Sequence, residues 1–241
     1  MADDGARLRR IGVLGGMGVE ATIALMQRVH AATVAEDDQD HVPMFVDMNP
    51  QVPSRIRHLI EKDGLDPGPV LADMAVRLEH AGAEALAMPC NTAHFYAPVI
   101  KKAVGIPLLN MPKLACTEVA CGMAQGAAVG ILASPASNST GLFSNMLKAV
   151  GLSAIFPENE TDILASIRAI KKAGPSQTAI AVLERESEIL YQRGATQIIV
   201  GCSEFSLISK QVRSPVPVLD TLDVLVNAVV AFSGAQAKQM P

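Results

Sequence analysis

Short aliphatic runs alternate with longer amphipathic segments along most of the chain. The aliphatic runs predict strands, and the segments with apolar residues three or four positions apart predict helices. The predicted strands are residues 10–14, 43–48, 85–88, 128–133 and 197–200, and the predicted helices are residues 18–34, 67–81, 92–104, 139–150, 162–172 and 176–193. Strands that alternate with helices in this way indicate parallel sheets, and so the α/β class. The tail after Ser233 is polar and rich in small residues, which predicts fraying.

The two halves of the chain repeat the same landmarks. A Gly-Ala pair opens a strand in each half, and a cysteine follows its glycine by eight positions, Gly82 to Cys90 and Gly194 to Cys202. A threonine also lies ten positions after a strand glycine in both halves, in the pairs Gly12–Thr22 and Gly130–Thr140. The repetition predicts two pseudo-symmetric α/β domains, each with a mainly parallel sheet flanked by helices and with an active site in the cleft between them. We expect residues 1–112 plus 215–241 to form the first domain and residues 113–214 the second.

Cys90 and Cys202 both follow a predicted strand and precede small polar residues at the start of a helix. Ligands of parallel α/β sheets bind at this end of the strands. The field of a helix N-terminus lowers the pKa of a thiol, so we expect both cysteines to ionise readily. Two thiols that face one cleft from opposite sides could remove a Cα proton from one face and deliver a proton to the other, which racemisation requires. Cys116 and Cys121 lie in an apolar stretch and are expected to be packing residues.

Composition narrows the class of protein further. The net charge of −4 and an aromatic content of 3% argue against a nucleic-acid partner, and the cluster Arg7, Arg9 and Arg10 is expected to be a short solvated arm. No apolar run has the length of a membrane span, and the N-terminal residues lack the pattern of a secretory signal, so we expect a cytoplasmic protein. The cysteine spacings do not fit a zinc site, and no metal is expected.

Four motifs resemble those of the aspartate/glutamate racemase superfamily, and within it the aspartate racemase or amino-acid racemase branch. They are Gly15-Gly-Met-Gly18 with Thr22, Asn49-Pro-Gln-Val-Pro-Ser-Arg55, Pro89-Cys-Asn-Thr-Ala-His94 and Gly201-Cys-Ser-Glu204. The resemblance runs from about residue 10 to residue 225 and implies a racemase that needs neither pyridoxal phosphate nor a metal and usually forms a homodimer. Its substrate would be a small amino acid, either aspartate or glutamate.

The resemblance also implies roles for individual residues. Cys90 and Cys202 match the two catalytic cysteines. The positions that match substrate ligands are Met17, Asn49, Arg55, Asn91, Thr92, Lys172 and Ser203. Of these, Arg55 and Lys172 would bind the side-chain carboxylate of the substrate, and Lys171 competes with Lys172 for that role. His94 and Glu204, which lie four and two residues after their cysteines, could tune a thiolate, cap a helix N-terminus or point outward into solvent.

Several departures from the family pattern leave the substrate open. They lie mainly in the part of the pocket that would hold the substrate side chain, and they are Val19, Ser54, Ile56, Arg168 and Ser203. The alternatives are a related isomerase, such as a hydantoin racemase or a maleate isomerase, and a non-catalytic carboxylate-binding protein. An arylmalonate decarboxylase would lack Cys90. A nicotinamide-dependent oxidoreductase would need the complete G-x-G-x-x-G spacing, which Gly15-Gly-Met-Gly18 does not provide.

Overall fold

The computed structural model describes residues 7–238 and contains two parallel four-stranded sheets. The first sheet has the order β2-β1-β3-β4, with β1 Ile11–Gly15, β2 Met44–Met48, β3 Ala85–Ala87 and β4 Leu108–Leu109. The second has the order β6-β5-β7-β8, with β5 Ala128–Ala133, β6 Ser153–Ile155, β7 Ala195–Gly201 and β8 Val218–Asp220. The predicted α/β class with two parallel sheets is confirmed.

In residues 7–238, ten α-helices join and cover these strands. They are α1 Val19–Ala32, α2 Gly68–His80, α3 Ala97–Ala103, α4 Met111–Ala120, α5 Pro135–Ser139, α6 Leu142–Ala149, α7 Glu160–Ala173, α8 Gln177–Gln192, α9 Ser203–Ser206 and α10 Thr221–Ser233. Within the described part of the chain, no helix is long and apolar enough to cross a membrane.

The strand order of the second sheet repeats that of the first, element by element. The repeat extends to single hydrogen bonds. Thr22 Oγ1 donates to the carbonyl of Gly18 at 3.0 Å, and Thr140 Oγ1 donates to the carbonyl of Ala136 at 2.7 Å. Each threonine therefore donates to a carbonyl four residues earlier in the chain, at equivalent places in the two halves.

Two helices follow strands of one sheet but pack on the core of the other. Leu222 and Val226 of α10, which follows β8, lie in one hydrophobic cluster with Ile11 of β1. Cys116 of α4, which follows β4, packs in a cluster with Ile131 of β5. The chain thus recrosses to the first sheet at residue 221, because β8 pairs with β7 of the second sheet.

Two predicted helices are each split by a change of backbone geometry. Residues 92–104 form a 3₁₀ turn, Thr92–Tyr96, followed by α3. Residues 139–150 are divided at Gly141, whose φ of 66° lies in the left-handed region, between α5 and α6. Strands β4, β6 and β8 and helices α4 and α10 were not predicted.

Both chain ends of the described region are held in place. The predicted fraying after Ser233 is wrong as far as residue 238. The amide of Val34 donates to the carbonyl of Gln236 at 2.8 Å, and the amide of Lys238 donates to the carbonyl of Ala32 at 2.8 Å. Residues 239–241 lie outside the described residues. Arg7 and Arg9 of the arginine cluster are exposed, as expected for a solvated arm, but they also make contacts. The Arg7 guanidinium lies 2.8 Å from Glu84, and that of Arg9 lies over the Phe232 ring.

Candidate active site

The two cysteine segments lie at the carboxyl ends of β3 and β7 and touch each other. Cys90 and Cys202 are buried, with 8% and 6% of their surface exposed. Ser203 Oγ donates a hydrogen bond to the carbonyl of Pro89 at 2.8 Å. The residue after one cysteine therefore contacts the residue before the other, which brings the two thiols to the same junction between the sheets.

The glycine-rich loop after β1 forms another wall of this junction. Gly16 has a φ of 89°, and a Cβ added there would lie 2.3 Å from the carbonyl carbon of Asn49, so only glycine fits. Thr22 Oγ1 accepts a hydrogen bond from the amide of Gly16 at 3.0 Å. The crowding that Gly16 relieves comes from the Asn49–Pro50 backbone. The amide of Asn49 also donates to the carbonyl of Gly15 at 3.3 Å, so Asn49 is held against the loop that carries Met17.

Arg55 is half-buried and is held against the same loop. Its Nη2 donates to the carbonyl of Met17 at 3.3 Å, and its Nη1 donates to the carbonyls of Pro53 at 3.1 Å and Val52 at 3.4 Å. A guanidinium has five N–H donors, so these three bonds leave two for a ligand. The structure thus brings together Met17, Asn49 and Arg55, three of the predicted substrate ligands.

Glu204 and Lys171 form a charged group around Cys202. The Cys202 thiol donates to Glu204 Oε2 at 3.0 Å, and Lys171 Nζ lies 3.3 Å from Glu204 Oε1. A Cβ added at Gly18 would lie 3.6 Å from the same Oε1, so this carboxylate also faces the glycine-rich loop. Lys172 is exposed, and the lysine that reaches the Cys202 group is its neighbour Lys171.

The pKa of the Cys202 thiol is raised well above its ordinary value, first by burial and then by the charge and hydrogen bond of Glu204. The expected lowering of the Cys202 pKa is therefore wrong. Helix α9, which begins after Cys202, has four residues, and so short a helix provides little positive potential against these two effects. In the free protein, Cys202 is a protonated thiol hydrogen-bonded to a carboxylate.

We expect Glu204→Gln to lower the pKa of Cys202 while leaving it above the ordinary thiol range. The substitution removes the negative charge that opposes the thiolate, but the burial of the sulfur remains. Ultraviolet titration of thiolate formation, taken as the difference between proteins with and without a Cys202→Ser substitution, measures this pKa. The pKa of Cys116, which burial raises to about 12, serves as an internal control because Glu204 does not contribute to it. An unchanged or higher Cys202 pKa in the Gln variant would contradict the assignment.

The two residues that follow Cys90 bind hydroxyl groups from distant parts of the chain. Thr92 Oγ1 lies 2.9 Å from Ser134 Oγ and 3.3 Å from Ser137 Oγ, both on the opposite half of the molecule. Asn91 Nδ2 donates to Thr221 Oγ1 at 2.9 Å, while Asn91 Oδ1 is buried and has no hydrogen-bond partner among residues 7–238. The orphaned amide oxygen next to Cys90 is a buried acceptor that a ligand ammonium group could satisfy.

His94 contacts the backbone of Cys90 and not its thiol. His94 Nε2 accepts a hydrogen bond from the amide of Met111 at 3.2 Å, so Nδ1 carries the ring proton and donates it to the carbonyl of Cys90 at 2.9 Å. Burial lowers the pKa of His94 to about 4. A neutral histidine in this fixed tautomer connects the backbone of Cys90 to that of Met111 and so holds the Cys90 segment in place. His94 is therefore neither hydrogen-bonded to the thiol nor exposed to solvent.

Sequence reasoning missed Lys171 as the first choice at Cys202, and it missed Ser134, Ser137 and Thr221 altogether. The equal spacing of the two cysteine motifs could have pointed to Ser134 and Ser137, because they occupy the loop of the second half that matches the glycine-rich loop of the first. Thr221 follows an unpredicted three-residue strand, and nothing in its local sequence indicates proximity to Cys90.

Comparisons with known proteins place this geometry in context. The sequence model of the Asp/Glu/Hydantoin racemase family matches residues 14–229. The broad specificity amino-acid racemase RacX of Bacillus subtilis (strain 168) is 26% identical over 226 residues, which cover 92% of this chain and 96% of that one.

Solved structures show the same fold. An aspartate racemase of Picrophilus torridus superposes with a TM-score of 0.84 at 24% identity, covering 96% of each chain. An aspartate racemase homologue of Pyrococcus horikoshii OT3 superposes with a TM-score of 0.74 at 17% identity, covering 94% of this chain and 100% of that one. Since the family match spans most of the sequence, the chain belongs to the Asp/Glu/Hydantoin racemase family.

Proposed function

We propose that this protein is a racemase that interconverts the L- and D-forms of an acidic amino acid, aspartate or glutamate, by two-base proton transfer between Cys90 and Cys202 without a cofactor. The observation that carries the proposal is the contact between the two cysteine segments at the junction of the sheets, where Ser203 Oγ meets the carbonyl of Pro89. The enzyme would act in the cytoplasm, and, as the resemblance implies, it would form a homodimer.

The two thiols divide the reaction between them. In one direction the Cys90 thiolate removes the Cα proton from one face of the substrate, and the Cys202 thiol delivers its own proton to the opposite face. The two sulfurs have then exchanged protonation states, and the reverse reaction exchanges them back. Cα–H is a very weak acid, so hydrogen-bond donors must stabilise the charge that develops on the substrate carboxylate.

The surroundings of Cys202 suit it to the role of acid in this direction. Cys202 holds its proton in a hydrogen bond to Glu204. When Cys202 has given up that proton, its thiolate lies beside the Glu204 carboxylate, and the Lys171 ammonium offsets the repulsion between them. Cys90 would then take the role of base on the opposite face of the substrate.

The remaining polar groups suit an amino-acid ligand. The orphaned Oδ1 of Asn91 and the Oγ of Ser203, whose proton is donated to Pro89, would accept hydrogen bonds from the substrate ammonium group. The hydroxyl of Thr92 would donate to the α-carboxylate. The two N–H donors that Arg55 leaves free would bind a side-chain carboxylate, since a guanidinium matches carboxylate geometry.

We propose Lys171, in place of Lys172, as the second cation of the pocket. Lys171→Met should reduce kcat/KM for acidic amino acids by about tenfold or more, because it removes a charged partner and leaves Glu204 to repel an anionic substrate. Lys172→Met is the matched comparison, with the same residue type one position away on α7 and an exposed side chain. Measurement of kcat/KM for both variants with L-aspartate and L-glutamate decides between the two lysines. A larger loss of kcat/KM in Lys172→Met than in Lys171→Met would assign the role to Lys172.

The function is tested by incubation of the protein with L-aspartate, and separately with L-glutamate, in deuterated water without added cofactor. Chiral chromatography follows the D-enantiomer, and NMR follows deuterium at Cα. We expect equilibration toward equal amounts of the two enantiomers, with deuterium entering as inversion proceeds. Binding without deuterium exchange would instead identify a non-catalytic carboxylate-binding protein.

A second candidate is a racemase of wider amino-acid range, which the name of the Bacillus subtilis relative suggests. The Glu204 carboxylate supports this second candidate. It faces the glycine-rich loop and offsets the Lys171 charge, which an acidic substrate would need. The same exchange experiment with neutral and basic amino acids separates the two, and hydantoins and maleate test the related isomerases.

A further inference from the structure

The consecutive residues Asp220 and Thr221, at the point where the chain recrosses between the sheets, reach the segments of both cysteines. Both are buried, with 7% and 0% of their surface exposed. Thr221 Oγ1 accepts the hydrogen bond from Asn91 Nδ2, next to Cys90, and donates to the carbonyl of Val200 on β7 at 2.9 Å. Thr221 thus connects the Cys90 segment to the strand that ends in front of Cys202.

Asp220 reaches the Cys202 segment through Ser206. Ser206 Oγ donates to Asp220 Oδ1 at 2.6 Å, and the amide of Ser206 donates to the carbonyl of Cys202 at 3.0 Å. Ser206 is the last residue of α9, the single turn that begins at Ser203. The carboxylate of Asp220 therefore fixes the far end of the turn that carries Glu204 and begins at Cys202.

Arg28 of α1 holds the same turn from the first half of the molecule. Its Nη1 donates to Asp220 Oδ2 at 2.9 Å and to Asp223 Oδ1 at 2.7 Å, and its Nη2 donates to the carbonyl of Ser206. Both the hydroxyl and the carbonyl of Ser206 are thereby bound to charged groups.

An ion pair buried to this extent is a costly way to stabilise a fold. Removing charges from water offsets most of their attraction, and well-packed apolar residues of similar volume often give equal or greater stability. What the directional hydrogen bonds of Arg28 and Asp220 do provide is a single geometry for α9, which apolar packing specifies less sharply. Because α9 begins directly after Cys202, a single geometry for α9 also fixes the position of that cysteine.

We propose that Arg28, Asp220 and Ser206 are positioning residues that fix the Cys202 thiol opposite Cys90, so that protons are delivered to one face of the substrate as they are removed from the other. The inference rests on the two-thiol racemase proposed above. None of the three touches the substrate, and they act through the backbone of α9. Transfer between fixed groups is sensitive to displacement, and a misplacement of about 1 Å can reduce the rate by about a hundredfold.

The test compares Ser206→Ala with Ser233→Ala. Ser233 of α10 is also buried, and its hydroxyl donates to the carbonyl of Val230 at 2.8 Å, but it makes no hydrogen bond to Asp220 or to α9 within the described chain. For each variant we would measure kcat, KM, the melting temperature and the ratio of deuterium exchange to inversion. We expect Ser206→Ala to lower kcat by about tenfold with little change in KM, and to raise the exchange-to-inversion ratio. Ser233→Ala should leave both kcat and the ratio near those of the wild type at a similar melting temperature.

Equal kinetic effects of the two alanine variants, or losses that follow the melting temperature alone, would overturn the proposal. Asp220→Asn, which keeps the shape and removes the charge, serves as the second variant should Ser206→Ala fail to fold, and it should raise the same ratio.

Alkylation of the thiols by iodoacetamide, measured by peptide mass spectrometry, is a second readout that does not depend on racemisation. Ser206→Ala should speed alkylation of Cys202 but not of Cys90. If the wild type racemises no amino acid, the proposed function fails. A selective rise in the alkylation rate of Cys202 would still support the positioning role, and an unchanged rate would refute that role.

Discussion

Cys90→Ala and Cys202→Ala should each reduce racemisation by on the order of a thousandfold or more, because each variant lacks either the base or the acid in both directions of the reaction. The fold should persist, since each change removes one sulfur atom from a junction held by many other contacts. Chiral chromatography measures the loss, and circular dichroism checks the fold. Each variant should still exchange the Cα proton of one enantiomer with solvent, because one thiol remains on one face.

The matched control for these variants is Cys121→Ala. Cys121 was expected to be a packing residue, but it is exposed at the end of α4, so the expectation is wrong for this cysteine. It should be replaceable without loss of activity. Full racemase activity in either Cys90→Ala or Cys202→Ala would refute the two-thiol mechanism. Equal loss in the Cys121 variant would show that the effect is not specific to the junction.

The fold should lose about 3 kcal/mol of stability through His94 as the pH falls from neutrality to about 4. The pKa of His94 is about 4 in the folded protein, against an ordinary value of 6.5, because the buried ring cannot be solvated when charged. As the pH falls, the unfolded chain therefore binds the proton before the folded protein does. The contribution of His94 to the free energy of unfolding is complete above about pH 6.5 and is lost progressively below that pH. Urea unfolding across this range measures the slope.

His94→Asn separates this contribution from the rest of the acid sensitivity. The Asn amide can still donate to the carbonyl of Cys90 but has no titrating group, so the variant should be less stable at neutral pH and should have a shallower loss on acidification. His80→Asn is the control, because His80 is exposed on α2 and should leave the slope unchanged. An unaltered slope in the His94 variant would show that other groups dominate.

The sequence predicted the parts of this structure that depend on local pattern. Alternating strands and helices indicated the α/β class, and the equal spacing from glycine to cysteine indicated the repeat that the matching strand orders now display. The elements that were missed are short or follow short strands. Strand β4 has two residues and β8 has three, too few for an alternation of apolar and polar positions to register.

The candidate site was predictable only where the residues lie next to a motif. Cys90, Cys202 and their neighbours follow the strands that position them, so their convergence followed from the repeat. The raised pKa of Cys202 could not be predicted in the same way, because it depends on the depth of burial and on how the Glu204 side chain turns. The choice of Lys171 over Lys172 depends on the rotation of α7, which places adjacent residues about 100° apart.

The exchange of helices between the sheets has a consequence for dividing the chain into fragments. The apolar face of β1 and β3 is covered by Leu222, Leu225 and Val229 of α10, which follows the last strand of the second sheet. A fragment that ends near residue 120 would contain all four strands of the first sheet but would lack this cover. We therefore expect such a fragment to expose the apolar face to solvent and to aggregate. Although the two sheets repeat one strand order, the core of the first is completed only by a helix that lies beyond the second.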